Sequence, residues 1–466
     1  MRDAAYDIAR YFVSTKYEDL PLSAVEAAKK ELLDTIGVSI AGASRDGVRE
    51  LLELVKEWGG REQSTVISYG IKVPAPNAAQ MNALMAHALD YDDGHQEALT
   101  HNGVIVVPTS LAVAELMGDI NGKELITAIA LGSDVLSRLG LATSPGKPLT
   151  GSGWHFTTLY GFIASAGVAG YLMKLDEEKM LNALGLAYHQ TSGNTQCMID
   201  GALSKRMGPG FSVRGGIVSA LMAGKGITGA RNIFEGEKGL YNIYHKGDYD
   251  RDVLIRDLGK RFEGINVGFK AYPCCGGTHV FIDIALALAE EHTISPDDIK
   301  EVKIYGGRAA EGLAMPIEIK QRPRNTVDAQ FSLPWVVASS LVKGRPVMEH
   351  FSEVAVENND VLNISGKVSF ELDPDLTRHG AAGPGIIKVK TMDGRTLIKR
   401  LDNPLGHPSR PFEFEDCKKK FKDCVSYSIS PLSDKDIEDI IITISDIDKV
   451  DDVSGLIKMV SGRTRL

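Results

Sequence analysis

The 466-residue sequence is poor in cysteine: the five present form an odd set without framework-like spacing, which argues against a disulfide scaffold. Free thiols in a reducing compartment, the cytoplasm, are expected. No uninterrupted apolar run reaches the length of a membrane span. The first twenty residues scatter Arg2, Asp3, Asp7, Arg10, Lys16, Glu18 and Asp19 among apolar residues, which excludes a signal-peptide core. Positive charge is not in surplus either. A formal charge of -9 disfavours nucleic acid or an anionic membrane as partner, and any anionic substrate must be held by a local cationic cluster. No Gly-x-Gly-x-x-Gly follows a convincing strand, leaving a nicotinamide or flavin cofactor without support. There is no fixed-period repeat and no low-complexity tract.

What is there is an ordinary globular composition, 43% hydrophobic and 24% charged, on a chain long enough for two domains. Residues 1–267 read as the first part of a helical domain. Its helical segments include Ser23 to Ile40, Lys123 to Leu139, Thr157 to Met173, Asp176 to Gln190 and Ser212 to Gly224. Their many Ala, Gly and Ser residues allow close helix approach. The texture changes over 268–402. Ile299 to Tyr305 reads as a strand, and Ile386 to Thr391 and Thr396 to Leu401 flank Asp393-Gly394, a hairpin signal. Helices at Thr278 to Glu291 and Pro334 to Val342 complete a smaller α+β domain. Residues 403–466 turn helical and charged again and are expected to return to the helical domain, making it discontinuous. The fold class is mostly α: a large helical domain plus a smaller α+β lid.

The most informative stretch runs from His87 to His101, where four carboxylates and three imidazoles leave an otherwise apolar segment. The preceding Asn77 to Leu89 is Ala, Met and Leu nearly all round, so a buried helix is expected, with Asp90 at its C-terminus. Burial and the negative helix end both disfavour ionised carboxylate, and Asp90 is expected to have a raised pKa useful to a base. The plainer alternative is a solvated acidic loop after a core helix.

Four segments each place an ionisable residue beside a Gly- or Pro-containing turn and close to a helix start. His101 precedes Asn102-Gly103 and the Pro108 helix; His155 follows Gly151-Ser152-Gly153; Lys205-Arg206 precede Gly208-Pro209-Gly210; Lys270 precedes Pro273 and Gly276-Gly277 on a lid-edge loop. Convergence of such helix N-termini would build a pocket for a carboxylate-rich ligand. Taken singly, each loop is better read as structural. Crowding is expected to lower the proton affinities of Lys205, Lys270 and the histidines. Cys274-Cys275 with His279 reads as free thiols in a helix-entry turn, since vicinal cysteines rarely share a tetrahedral site. Asp90, Asp92, Asp93 and Glu97 lack an EF-hand pattern, and no metal is assigned.

These residues resemble the MmgE/PrpD family, which includes iron-independent 2-methylcitrate dehydratases, cis-aconitate decarboxylases and iminodisuccinate epimerases. The resemblance runs nearly end to end. It rests on Ala28-Lys29 through Leu32-Leu33-Asp34-Thr35-Ile36-Gly37, on His87-Ala88-Leu89-Asp90-Tyr91-Asp92-Asp93, on Gly153-Trp154-His155 and on Ser204-Lys205-Arg206-Met207. Lys270 to Cys275 and Asp328 to Pro334 match as well. It implies a helical domain with a smaller α/β lid, a homodimer, and an active site that uses neither metal nor organic cofactor. The family's active-site residues fall on Asp90, His101, His155, Lys205 and Lys270, with Arg206 as a further carboxylate clamp. Two positions depart: Gly94 stands where some members have Thr, and Trp335, expected to contact the substrate, stands where the decarboxylases have a lid Tyr. The resemblance thus implies a lyase on a small polycarboxylate, foremost a 2-methylcitrate dehydratase-like enzyme. An epimerase, a decarboxylase and a non-catalytic polycarboxylate binder are the alternatives.

Overall fold

The computed structural model describes residues 2–143, 153–378 and 383–462. Gly151 and Ser152, expected to lead into the His155 loop, lie outside the described residues. The chain is mostly helical. At its centre stands Ala75–His87, in which every residue but Pro76 is buried. Such a helix needs neighbours on all sides. It packs against Leu22–Gly42, Gly103–Met117 and Ser204–Gly224, and Ser204–Gly224 in turn packs on Phe156–Leu172 and Glu177–Tyr188.

Ser204–Gly224 differs from expectation. Gly208-Pro209-Gly210 does not form a turn; the helix begins at Ser204 and runs through it, with Pro209 inside. The glycines serve close approach instead. A Cβ on Gly208 would fall 2.4 Å from Thr158 Oγ1, and one on Gly210 would fall 2.9 Å from the Gln80 carbonyl oxygen. Lys205 therefore sits in the first turn of a helix clamped between two others.

The smaller part carries a four-stranded sheet in the order Val368–Leu372, Ile299–Gly306, Gly385–Thr391, Thr396–Leu401. The first pair is parallel and the other two are antiparallel. The hairpin turns at Asp393-Gly394, where Gly394 has φ +93°. Val302, Ile304, Ile387 and Val389 are fully buried under the helix Gly276–His292, which packs across the last two strands. After this sheet the chain goes back: Phe414–Val425 and Asp434–Ser445 both pack on Leu22–Gly42. No helix among the described residues is long and apolar enough to cross a membrane.

Candidate active site

The turn after Ala75–His87 organises the site. Asp90 adopts a left-handed backbone, φ +51°, a conformation that Asp tolerates better than most residues. The reversal leaves three successive carbonyls without helical partners, and each is satisfied by a side chain from far along the chain. Gln330 Nε2 donates to Leu89 O at 2.6 Å, Lys270 Nζ to Asp90 O at 3.0 Å and Lys420 Nζ to Tyr91 O at 2.6 Å. Lys420 also pairs with Asp34 at 2.8 Å. Buried carbonyls left unpaired would each cost about 1–3 kcal/mol, so these contacts fix the turn.

The carboxylate of Asp90 points between two ammonium groups. Lys205 Nζ bonds its Oδ1, and Lys270 Nζ lies 3.1 Å from its Oδ2. All three residues are buried. Burial alone would raise the Asp90 pKa, but Lys205 and Lys270 outweigh it and hold the carboxyl far below its usual range. The expectation of a raised Asp90 pKa is overturned, because two cations face it. Lys270 is corrected likewise. It is buried in its loop, and although crowding and burial are expected to lower its pKa, Asp90 and Asp92 push it above the ordinary lysine range.

The next two carboxylates face elsewhere. Asp92 Oδ2 lies 2.8 Å from His87 Nδ1 and 3.0 Å from His101 Nδ1, while its Oδ1 is 3.7 Å from Lys270 Nζ. Asp93 accepts from the Gly103 N–H at 3.1 and 2.9 Å, at the N-terminus of Gly103–Met117. Burial first, then the charges of Asp92 and Asp34, push its carboxyl up to about 8, and the adjacent Glu31 is raised as well. Asp93 is thus a protonated, structural acid at neutral pH.

The nitrogens of His87 and His101 and an Asp92 oxygen lie within 4.8 Å of one another, close enough to suggest a cation site. The hydrogen bonds favour another reading. His101 Nδ1 is also 2.7 Å from the Asp93 carbonyl, which only accepts, so Nδ1 carries a proton and has no lone pair for a metal.

A cavity of about 310 Å³, at the small end of ligand sites, opens over this cluster. Asp90, His101, His155, Lys205 and Lys270 all line it. His155 begins the helix Phe156–Leu172, with Nδ1 2.7 Å from Thr158 Oγ1. Burial, then the charge of Lys205, hold its imidazole well below the usual range, so it is neutral. The rings of His87 and His155 lie 6.0 Å apart. Arg206 and Trp335, expected at the substrate, are not among the lining residues. Arg206 donates to the Asp46 carbonyl at 3.2 Å, and Trp335 is sealed in Leu333–Lys343 with its ring 5.5 Å from that of Phe351.

Sequence reasoning missed the other wall. Leu99, Trp154, Phe156, Phe269, Phe331 and Leu405 give the cavity a largely apolar side. His95 and His279 join them, both neutral because burial lowers their pKa to about 4 and about 3. Cys275 also lines the cavity, and burial raises its thiol pKa, so it is a poor nucleophile. His279 donates from Nε2 to the Cys274 carbonyl at 3.1 Å. Single residues scattered over loops leave no periodic signal; only the dense acidic and imidazole cluster did.

A helical body and a small sheet-bearing part, with buried lysines bracketing an aspartate beneath a lined cavity, define a class of protein, and the comparisons agree. The chain belongs to the MmgE/PrpD family: the N-terminal domain model matches residues 6–252 and the C-terminal domain model residues 272–446. Among its relatives is a cis-aconitate decarboxylase of Aspergillus terreus, 25% identical over 473 residues, covering 98% of this chain and 95% of that one. The cis-aconitate decarboxylases of Homo sapiens and Mus musculus are each 24% identical, covering 94% of this chain and 90% and 89% of theirs.

Proposed function

We propose that this protein is a cofactor-independent lyase acting on a small polycarboxylate, foremost a dehydratase of the 2-methylcitrate type. The observation that carries the reading is the bracketing of Asp90 by Lys205 and Lys270 on the cavity floor beside neutral imidazoles. A substrate carboxylate entering the cavity competes with Asp90 for the two ammonium groups. Removing the proton beside that carboxylate leaves an aci-carboxylate dianion, which fixed cations stabilise strongly in a site shielded from water. Asp90, ionised and ion-paired, holds the lysines in place; a neutral histidine is the better proton acceptor. His155 then serves the β-hydroxyl as it leaves as water.

Decarboxylation is the second reading, and two observations favour it. The relatives bear that name, and Trp335 lies away from the cavity, so its difference from Tyr does not alter the lining. Gly94 does line the cavity, so no hydroxyl stands there. Epimerisation starts from the carbanion that dehydration forms, but no group leaves and a proton returns to the opposite face. Incubation in heavy water with citrate, methylcitrate, aconitate, tartrate and amino-dicarboxylate analogues separates these outcomes. Loss of water supports the dehydratase; release of carbon dioxide replaces it with the decarboxylase; deuterium entry with inversion marks an epimerase. No exchange with any substrate marks a binder and overturns the proposal. A cytoplasmic homodimer belongs to the same reading, and light scattering tests the dimer.

A further inference from the structure

The pairing of His87, Asp92 and His101 plays no part in the lyase reading so far. Asp92 is almost fully buried, and one of its oxygens serves two imidazoles at 2.8 and 3.0 Å. His87 does not line the cavity, whereas His101 does. The His101 backbone is itself held, its N–H donating to Thr157 Oγ1 at 3.0 Å. Its Nδ1 faces two acceptors, the Asp93 carbonyl at 2.7 Å and the Asp92 carboxylate. A carbonyl cannot donate, so the ring proton of neutral His101 is on Nδ1 and the lone pair is on Nε2.

His95 is the contrast. Its Nδ1 accepts the Ala98 N–H at 3.2 Å, so its proton is on Nε2 and that nitrogen cannot take another from a substrate. Two histidines of the same loop therefore hold opposite tautomers, and only that of His101 leaves an Nε2 lone pair.

We infer that Asp92 is a positioning residue that sets His101 as the proton acceptor, fixing its tautomer and stabilising the imidazolium it becomes. In the step, the C–H bond beside the substrate carboxylate breaks and its proton bonds to His101 Nε2. The electron pair stays on the substrate as the aci-carboxylate facing Lys205 and Lys270. The new positive charge spreads to Nδ1, 3.0 Å from the Asp92 carboxylate. A like arrangement, carboxylate behind imidazole, governs the serine-hydrolase triads. The charged and titratable groups around His101 are Asp92, His87, His155, Asp90, Lys205 and Lys270; among them Asp92 is the carboxylate in contact with its ring.

This inference rests on the lyase reading for its chemistry, but its physical claim can be tested without turnover. Asp92→Asn keeps a hydrogen-bond acceptor and removes the charge. In selectively labelled protein, the His101 ring nitrogens, assigned by loss of signal in His101→Gln, should show the Nδ1–H tautomer in the wild type. In Asp92→Asn with an exchanging substrate, proton abstraction should fall by about 10²–10⁴-fold while binding of a non-reacting tricarboxylate changes less than threefold. Adding Asp92→Asn to His101→Gln should cost nothing further, whereas a structural role would add. An Nε2–H tautomer in the wild type, or proton abstraction in Asp92→Asn as fast as in the wild type, overturns the inference. If Asp92→Asn does not fold, the wild-type tautomer alone decides. Failure of all substrates to exchange refutes the lyase reading and leaves the nitrogen measurement standing.

Discussion

Asp90→Asn tests the charge balance of the site most directly. Asn tolerates the left-handed backbone at this position, so the turn survives and the lost quantity is one negative charge. What remains is two buried ammonium groups, Lys205 and Lys270, that have lost the carboxylate between them. Lys270 keeps its bond to the backbone carbonyl of residue 90, but its nearest carboxylate is then the more distant Asp92 oxygen at 3.7 Å. Removing one partner of a buried ion pair costs about 3–5 kcal/mol. Unfolding entropy of about 2.1 cal/mol/K per residue gives about 1 kcal/mol/K for this chain, so the melting temperature should fall by about 3–5 °C. The same vacancy should attract anions. A tricarboxylate at a hundred times its Kd should return about 2.7 kcal/mol, offsetting roughly half or more of the loss, and should bind the variant more tightly than the wild type. Scanning calorimetry in a buffer without polyvalent anions, with and without tricarballylate, measures both effects. A variant that melts with the wild type, or whose ligand-induced shift is no larger, refutes the reasoning.

His155→Gln should lower turnover by about 10²–10⁴-fold while leaving analogue affinity within about tenfold, because a neutral imidazole at a helix start is assigned to proton transfer; steady-state kinetics and calorimetry check it. Lys270→Ala should reduce turnover and lower the melting temperature together, since the residue is buried and holds both Asp90 and a backbone carbonyl; a variant as stable as the wild type counts against this. For Asp93 the folded pKa of about 8 exceeds the unfolded value of about 4, so the fold binds the extra proton between those limits. Its contribution is full below about pH 4 and is lost as pH rises through about 8; Asp93→Asn should therefore flatten the decline in stability over that window, as read by denaturant titration at stepped pH. Exhaustive chelation should leave turnover unchanged, the stabilising charge being assigned to lysines; loss on EDTA, restored by a divalent ion, would sink that mechanism.

Much of this was legible in the chain. Helix spans such as Leu22–Gly42 and Gly122–Leu141 announce themselves by apolar periodicity, and the Asp393-Gly394 hairpin by its turn residues. Val368–Leu372 did not, because this five-residue edge strand buries only Val368 fully and alternates weakly. Gly208-Pro209-Gly210 misled, since glycine for a turn and glycine for close packing are identical in sequence. The sign of the Asp90 shift was unreadable for a related reason. Burial and helix-end position are local properties, but the lysines that reverse it arrive 115 and 180 residues later. Trp335 shows the converse: a family resemblance can nominate a position that the helix then turns into the core.

The pinning of the 89–91 turn has a consequence for synthesis. Its three carbonyls wait for Lys270, Gln330 and Lys420, and the last of these emerges 329 residues after the turn itself. A ribosome releases the amino-terminal helices long before that peg exists, so the nascent body carries its reactive loop unpinned. A chain broken before Phe414–Val425 retains every lysine and histidine assigned to chemistry, yet lacks the peg on Tyr91. Fragments of this protein should therefore be inert, and the last helices should restore them when supplied in trans.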